Sequence, residues 1–498
     1  MRFDRSSGIL LHPTSLPGPH GSGDFGPAAF HFVDWLVAAG QKRWQLLPLA
    51  PLGPGNSPYM SSSAFAGNVL LVDLAELQQR GWLDVADLAP ADGLHDGAVN
   101  WAAVYPFRMD RLARAAQRFA AAGHAGDRLE YEAFRTAHAS WLEDYALFMA
   151  LAEHHGWADW CDWPDGLAQR APAALSAARA RHAERIAFWS FSQWCFFRQW
   201  ARVRAYANQR GVKIVGDAPI FIAHQSAEVW VRPELFELDA AGRPSVVAGV
   251  PPDLFSATGQ RWGNPLYRWQ AHAEEGYAWW IERVRRTFEL VDIVRIDHFR
   301  GFAGYWEIPA TEPTAMHGRW VPGPGKALFD ALAAALGPVP IIAEDLGVIT
   351  PDVDGLRKGA GLPGMRILQF AWGEGEGAER RFLPHNHEHD SVVYTGSHDN
   401  DTTVGWWATA PEGARHHLRE YLATDGRTVH WDLIRAACAS VADTAIYPMQ
   451  DVLGLDGSHR MNFPGKGEGN WAWRFAWAQV APETAARLHR LCQLYERL

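Results

Sequence analysis

The sequence of 498 residues has few of the features that mark secreted or membrane-spanning proteins. It contains only four cysteines, none spaced as a C-x-x-C pair, which is too few for a disulfide framework. No stretch approaches the roughly 20 apolar residues of a membrane span. The apolar run nearest the start, residues 9–11, is too short for a secretory signal. We therefore expect a cytoplasmic protein that does not act in a membrane.

Positive charge is also scarce. Lys and Arg together number 46 against 56 Asp and Glu, which gives a net charge of −10, and no basic block stands out. Proteins that bind nucleic acid need a concentrated positive surface, so we expect no nucleic-acid partner. What the chain does have is aromatic side chains: 25 Trp, 24 Phe and 12 Tyr. This content excludes a disordered chain, but tryptophan fills cores as readily as it stacks on sugars, so it does not indicate a function.

Eight short apolar runs, each ending in polar residues and a turn, recur along the chain. Each has the length and continuous apolar character of a buried parallel strand. Helical patterns such as 29–40 and 274–290 lie between them, and this alternation predicts a (β/α)₈ barrel. The runs are 8–16, 43–49, 212–221, 291–299, 339–347, 365–372, 391–400 and 444–453.

An open, doubly wound sheet is the alternative arrangement of such units. It is disfavoured because no glycine-rich phosphate loop follows any of the eight runs. The spacing is uneven, and we interpret residues 50–211, approximately, as a largely helical insertion between the second and third strands. A second insertion, about 222–290, contains a Gly/Pro-rich stretch. One catalytic barrel domain, 1–498, then accounts for the whole chain.

Polar residues end four of the predicted strands, and strand ends form the active-site rim of such barrels. Side chains alternate along a strand, so Arg295 and Asp297 share a face, whereas the neighbours Glu344 and Asp345 face opposite ways. Several carboxylates with different environments are what glycosidic bond cleavage needs, one to attack and one to protonate the leaving oxygen. The residues at these ends are Asp217, Arg295, Asp297, Glu344, Asp345, His398 and Asp399.

At these positions the sequence resembles the amylomaltases, bacterial 4-α-glucanotransferases or disproportionating enzymes related to the α-amylase clan. The resemblance covers essentially the whole chain and corresponds to the short form, which starts directly with the barrel. The segments that carry it include LLHPTSLPGPHG (10–21), NSPYMSSSAFAGN (56–68), GDAPIFIAHQSAEVW (216–230), FSATGQRWGNPLY (255–267), VRIDHFRGFAGYWEIPA (294–310), AEDLGVITPDV (343–353), GLPGMRILQFAW (361–372), TGSHDNDTTVGWW (395–407) and MNFPGKGEGNWAWR (461–474).

The resemblance implies transfer of an α-1,4-glucan segment by double displacement, with no cofactor and no metal. Asp297 matches the nucleophile, Glu344 the general acid/base and Asp399 the residue that stabilises the transition state. The segment 249–264, which includes Leu254 and Phe255, matches a flexible active-site loop over the cleft. The positions that match substrate-binding residues are Tyr59, Asp217, Gln260, Trp262, Arg295, His298, Phe370, His398 and Asn462. Of these, Tyr59 and Asp217 match positions that line the donor subsites.

The resemblance implies α-1,4-glucans as partners: maltooligosaccharides, amylose and dextrins from starch or glycogen. Three departures concern acceptor handling: Leu254 stands where relatives often have Tyr, GEGEG (373–377) replaces paired aspartates, and the GPGNSP stretch (53–58) is shortened. Phe255, Trp262 and Trp372 are our candidates for stacking on sugar or shielding it from water. A large share of the other tryptophans falls within 50–211, where we expect them to pack the insertion.

Three other functions remain open at the level of sequence. The same carboxylates would serve an α-glucosidase or an amylase-like hydrolase. The segment HNHEHD (385–390) would place His385, His387 and His389 on one face of an extended strand, as in a metal-dependent hydrolase. A non-catalytic glycan-binding protein is disfavoured because it would not need Arg295 together with the carboxylates at the strand ends.

Overall fold

A computed structural model describes residues 3–252, 256–373 and 380–498. The predicted loop residues Leu254 and Phe255, and most of the GEGEG segment, lie outside this part of the chain. The strands in the described ranges are β1 (Ser6–Leu10), β2 (Arg43–Gln45), β3 (Lys213–Pro219), β4 (Val246–Val250), β5 (Gln260–Pro265), β6 (Ile293–Asp297), β7 (Gly304–Pro309), β8 (Arg319–Pro322), β9 (Ile341–Ala343), β10 (Gly364–Ile367), β11 (Ser391–Tyr394) and β12 (Thr444–Pro448).

Helices fill most of the connections between these strands. They are α1 (Pro27–Ala38), α2 (Leu74–Gln79), α3 (Trp101–Ala122), α4 (Ala125–Ala137), α5 (Ala139–His154), α6 (Pro172–Arg181), α7 (Ala183–Gln209), α8 (Ala227–Val231), α9 (Trp269–Glu274), α10 (Ala278–Leu290), α11 (Lys326–Leu336), α12 (Pro351–Gly359), α13 (Thr403–Thr409), α14 (Glu412–Leu422), α15 (Val429–Ala439), α16 (Met449–Leu453) and α17 (Thr484–Leu494). In the described part of the chain, none of them combines the length and the apolar character needed to cross a bilayer.

Eight of the strands form a closed barrel. The strands β1, β2, β3, β6, β9, β10, β11 and β12 are all parallel, and their order around the barrel follows the chain. Each of the eight predicted apolar runs overlaps one of them, so the predicted (β/α)₈ barrel is confirmed. Every residue of β1, β2, β9, β10, β11 and β12 is buried, because side chains fill the inside and helices cover the outside.

The long connection between β2 and β3 contains the helices α2 to α7. Its aromatic side chains pack on one another: the Trp82 ring lies 5.2 Å from Phe119, 5.5 Å from Phe191 and 5.5 Å from Trp194 between ring centroids. Helix α7 joins this layer to the barrel, since Trp200 Nε1 donates a 2.7 Å hydrogen bond to the Leu290 carbonyl oxygen. The tryptophans of this region therefore contribute mainly to packing.

A second, four-stranded antiparallel sheet with the order β5-β4-β7-β8 stands beside the barrel. Its strands come from the connections before and after β6. We predicted a flexible loop over 249–264; its two ends, 249–250 and 260–264, belong instead to β4 and β5. Glycine permits the pairing: a Cβ atom on Gly249 would lie 2.2 Å from the Gln260 carbonyl oxygen.

Candidate active site

A cleft of about 960 Å³ opens at the carboxyl ends of the barrel strands. The structure brings together almost all of the predicted site residues there, although they come from distant parts of the chain. The predicted residues that line the cleft are Tyr59, Gln260, Trp262, Arg295, Asp297, His298, Glu344, Phe370, His398, Asp399 and Asn462. Gln260 and Trp262 reach it from β5 of the small sheet, rather than from a loop.

Arg295 holds two carboxylates at the floor of the cleft. It stands in β6 two residues before Asp297, so both side chains point the same way, as the alternation along the strand predicts. Its Nη2 donates to Asp297 Oδ1 at 2.8 Å, and its Nη1 donates to both oxygens of Asp217, at 2.8 and 2.7 Å. The two acidic neighbours raise the pKa of Arg295 against the effect of its burial. The guanidinium therefore fixes the orientation of Asp297 and balances its charge.

Asp217 is placed differently from the expectation that it lines the cleft. Its side chain is fully buried, and it accepts a hydrogen bond from the Tyr59 hydroxyl at 3.0 Å in addition to those from Arg295. The resemblance placed it in a donor subsite, whereas the structure places it beneath the floor, because Arg295 lies between it and Asp297. Burial raises the pKa of Asp217, and Arg295 opposes that shift. Its contacts make it a support for Arg295 and Tyr59.

Glu344 follows β9 directly and faces the cleft beside Asp297. Its two oxygens accept backbone hydrogen bonds, Oε2 from His298 N–H at 2.7 Å and Oε1 from Leu346 N–H at 2.9 Å. His298, the donor of the first of these bonds, has a left-handed backbone with φ of 54°. Burial raises the pKa of Glu344 to about 7, with Arg295 lowering it and Asp297 raising it.

Asp345 points the opposite way from Glu344, as the predicted alternation of side chains requires. Its carboxylate turns away from the cleft, accepts a 2.6 Å hydrogen bond from Met365 N–H and lies 3.3 Å from Arg366 and 3.4 Å from Arg357. It is buried and serves to join β9, β10 and α12. Glu344 is therefore the member of this acidic pair that is available in the cleft.

Asp399 lies in the loop between β11 and α13. Asn462 Nδ2 donates to its Oδ1 at 2.6 Å, and His398 Nε2 lies 3.2 Å from the same oxygen. Arg460 holds the backbone, because its Nη2 donates to the Asp399 carbonyl oxygen at 2.9 Å. The second carboxylate oxygen, Oδ2, is therefore the one that these contacts leave to face the cleft. Burial lowers the pKa of His398, although Asp399 opposes the shift, so the ring is neutral near pH 7.

Aromatic rings form two walls of the cleft. The Tyr59 ring stacks on His398 with 5.2 Å between centroids and an interplanar angle of 12°. On the other wall, Trp262 meets His298 edge to face at 4.7 Å, and Phe221 packs behind both. Burial lowers the pKa of His298 to about 4, which keeps this ring neutral and compatible with an apolar wall. Walls of this kind suit the apolar faces of sugar rings.

A carboxylate held by an arginine and a carboxyl with a pKa near 7 in one cleft supply the two groups that retaining glycosyl transfer requires. Comparison with known proteins agrees with this chemistry. A family model described as 4-alpha-glucanotransferase matches residues 11–479. The chain belongs to the 4-alpha-glucanotransferase family. The fold, the class of enzyme and the family predicted from the sequence are thereby confirmed.

Individual relatives match over their full length. The 4-alpha-glucanotransferase of Thermus thermophilus is 50% identical over 506 aligned residues that cover 100% of both chains. The enzyme of the same name from Synechocystis sp. is 46% identical and covers 99% of this chain and 98% of its own. The solved structure of an amylomaltase from Streptococcus agalactiae in complex with acarbose superposes with a TM-score of 0.96 at 37% identity and covers 99% of each chain.

Some residues of this glucanotransferase site were not predicted individually. Arg460, Trp471 and Phe221 all contribute to the cleft or hold its residues. The quoted segments 461–474 and 216–230 contain two of them, but no spacing rule distinguished these positions from their neighbours. Trp372, predicted to stack on sugar or shield it, is buried against Tyr421 and His417 instead. That prediction is wrong because a 3₁₀ turn, Leu368–Phe370, follows β10 and directs the indole towards α14.

The histidines of the HNHEHD segment do not converge. His387 is buried and bonded to the Ser440 hydroxyl and the Phe382 carbonyl oxygen, whereas His385 stacks on Tyr421 and His389 points to solvent near Asp443. The segment begins as a 3₁₀ turn rather than an extended strand, so the three rings cannot share a face. Among the residues that the structure describes, no group of three or more possible ligands is arranged to hold a metal ion.

Proposed function

We propose that this enzyme transfers a segment of an α-1,4-glucan to the 4-hydroxyl of an acceptor glucan or glucose by retaining double displacement. The observation that carries the proposal is the arrangement of two carboxyl groups that differ in environment. Asp297 is fixed by Arg295, and Glu344 is held next to it by the backbone N–H of His298. Donors would be maltooligosaccharides, amylose and dextrins derived from starch or glycogen.

In the first step, Asp297 attacks the anomeric carbon of the donor while Glu344 gives its proton to the leaving oxygen. The products are a covalent glucosyl-Asp297 and a shortened glucan that carries the new hydroxyl. In the second step, the acceptor's 4-hydroxyl attacks the same carbon, Glu344 takes its proton, and Asp297 leaves as a carboxylate. Each displacement inverts the anomeric centre, so two of them retain the α configuration.

Glu344 must act as an acid and then as a base, which is most effective when its pKa is near the working pH. Burial brings the pKa of this carboxyl to about 7, where both forms are populated. The backbone N–H groups of His298 and Leu346 can only donate to the carboxyl oxygens, so they cannot take up the proton that Glu344 exchanges with the substrate. An oxygen that accepts such a bond still has a second lone pair for the substrate.

Asp399 would bind ring hydroxyls of the sugar next to the cleaved bond. Its Oδ1 is occupied by Asn462 and His398, which orient the group so that Oδ2 can accept from the sugar. Hydrogen bonds to a neighbouring hydroxyl strengthen as positive charge develops at the anomeric carbon, which stabilises the transition state.

Transfer rather than hydrolysis requires that a sugar hydroxyl reach the intermediate before water does. The wall formed by Trp262 with His298 would help to hold the acceptor, and the wall formed by Tyr59 with His398 would exclude water from the donor side. The setting we propose is the cytoplasm, and the four cysteines, all free thiols, suit a reducing compartment.

Incubation with maltotriose tests the proposal. Disproportionation should give glucose together with maltopentaose and longer chains, and the Asp297→Asn variant should give neither. Glucose and maltose alone from the native enzyme would instead show that it is a hydrolase with the same carboxylates, and would contradict the proposal.

A further inference from the structure

An exposed tryptophan stands at the edge of the small sheet. Trp320 lies in β8, which pairs only with β7 in the described sheet, and 42% of the residue is open to solvent. Charged residues usually protect edge strands, and Arg319 with its partner Glu307 does so here. A large, exposed apolar side chain is therefore unexpected on this strand. Trp306 is its cross-strand neighbour, and the two rings meet at 5.2 Å and 67°.

The indole is held in a fixed plane. The Arg300 guanidinium lies 3.8 Å from the ring centroid and covers one face. Arg300 is itself fixed, because Nη1 donates a hydrogen bond to the Val348 carbonyl oxygen and Nε lies 3.4 Å from the Gly304 carbonyl oxygen. A ring that is already immobilised loses little conformational freedom when a ligand binds to it, which favours a recognition surface.

Arg300 also connects Trp320 to the cleft. Val348, whose carbonyl oxygen it binds, lines the cleft wall together with Leu346 and Gly347. Val348 is itself 58% exposed, so an apolar side chain is open to solvent at this end of the wall. One arginine side chain therefore separates the wall of the active site from the tryptophan.

The position of this wall indicates which part of a glucan would pass over it. The wall begins two residues after Glu344, and Leu346 N–H binds that carboxyl. In the mechanism proposed above, Glu344 protonates the departing oxygen, so the segment 346–348 borders the side from which the leaving glucan departs and the acceptor enters.

We propose that Trp320 is a glucan-binding platform outside the catalytic cleft, which holds the remote part of an α-1,4-glucan on the acceptor side, beyond Val348. This inference rests on the proposed function, since it assigns the platform by reference to Glu344. The ligand is a chain long enough to reach from the cleft to β8, and a short oligosaccharide in the cleft does not touch it. The apolar C–H face of a glucose unit packs on the exposed indole.

A purely structural role makes a different prediction. If Trp320 served only to cover Arg300, its removal would disturb the loop that contains Val348 and would change catalysis with every substrate. A platform affects only substrates that reach it. The comparison of a short and a long substrate therefore separates the two roles.

The experiment compares Trp320→Ala, Trp320→Phe and the native enzyme in disproportionation of maltotriose and of long-chain amylose. A matched control is Trp157→Ala, which removes another exposed tryptophan, 54% open to solvent, that does not line the cleft. With Trp320→Ala we expect kcat and KM for maltotriose to stay within about twofold, and KM for amylose to rise by about three- to tenfold at unchanged kcat. Trp320→Phe should recover most of the affinity for amylose, and Trp157→Ala should match the native enzyme.

Equal changes with both substrates, or no change with amylose, would overturn the inference. Affinity electrophoresis in gels that contain amylose measures binding without catalysis, and Trp320→Ala should be retarded less than the native enzyme. Failure of the native enzyme to disproportionate maltotriose would contradict the proposed function instead, and the gel would still report whether Trp320 binds glucan.

Discussion

The backbone N–H of His298 donates a 2.7 Å hydrogen bond to Oε2 of Glu344. His298 immediately follows Asp297, so this bond ties the residue after one carboxyl directly to the other carboxyl. His298 also has a left-handed backbone, which costs about 1–3 kcal/mol at a residue other than glycine. The next residue, Phe299, donates its N–H to the backbone carbonyl oxygen of Glu344 at 3.2 Å. A second, main-chain bond therefore joins the same two segments.

The pH profile should report the protonation of Glu344. Its pKa is raised to about 7 by burial, so the acid form, which we propose protonates the leaving oxygen, is lost as the pH rises through that value. We expect kcat/KM for maltotriose to fall about tenfold per pH unit above about pH 7. Initial rates from pH 5 to pH 9 check this. A basic limb centred near the ordinary pKa of a glutamate would show that burial does not control this group.

A donor whose leaving group needs no proton tests the acid role of Glu344 separately from the attack by Asp297. Fluoride leaves without acid assistance, so α-maltosyl fluoride should form the covalent glycosyl-Asp297 intermediate whether or not Glu344 is protonated. For Glu344→Gln we expect glycosylation by the fluoride to persist while maltotriose turnover falls by about 1,000-fold or more. Fluoride release and maltotriose disproportionation are measured on the same preparation. Equal loss with both donors would indicate that Glu344 is not the acid.

Removal of the proposed nucleophile should abolish transfer and leave binding. Asp297→Asn keeps the shape of the side chain and can still accept from Arg295, but it cannot form the covalent intermediate. We expect turnover of maltotriose to fall at least about 1,000-fold, with binding of maltooligosaccharide by calorimetry changed by less than about tenfold. Asp425→Asn, at an exposed position, is the control. Turnover of Asp297→Asn within tenfold of native would disprove the assignment.

Several features of this site follow from local rules. The pleat of a strand is enough to place Arg295 and Asp297 on one face and to separate Glu344 from Asp345, and both expectations agree with the structure. Continuous apolar character is enough to identify the eight barrel strands, because these strands are covered on both sides. Such signals are local, so they can be seen in a single sequence.

The features that were missed depend on contacts between distant segments. The two ends of the predicted loop 249–264 belong to β4 and β5, because β5 pairs with β4 and β4 pairs with β7, about 60 residues later in the chain, and composition does not show that pairing. Asp217 lies under the cleft because Arg295, from another strand, bridges it to Asp297. His298 has a left-handed backbone in the turn after β6, and no sequence motif predicts that conformation.

Asn462 should act through Asp399. Its Nδ2 to Oδ1 bond, at 2.6 Å, fixes the rotation of the carboxylate. Asn462→Ala removes a hydrogen bond to a charged group, and we expect kcat/KM for maltotriose to fall about 10- to 100-fold. Asn386→Ala, which removes an exposed amide bound only to the Arg380 carbonyl oxygen among the contacts described, is the control. A native rate for Asn462→Ala would show that His398 and Arg460 position Asp399 by themselves.

The tryptophans of the helical connection should matter for stability and not for catalysis. Trp200 is almost fully buried in α7 and joins that helix to the barrel through the Leu290 carbonyl oxygen. Trp200→Ala leaves a cavity and an unpaired carbonyl, so we expect the free energy of unfolding to fall by about 3–5 kcal/mol. Urea denaturation followed by circular dichroism measures the change. Trp157→Ala, at an exposed site in the same region, should shift it by less than about 0.5 kcal/mol. If the two variants unfold at the same urea concentration, the connection is not packed onto the barrel through Trp200.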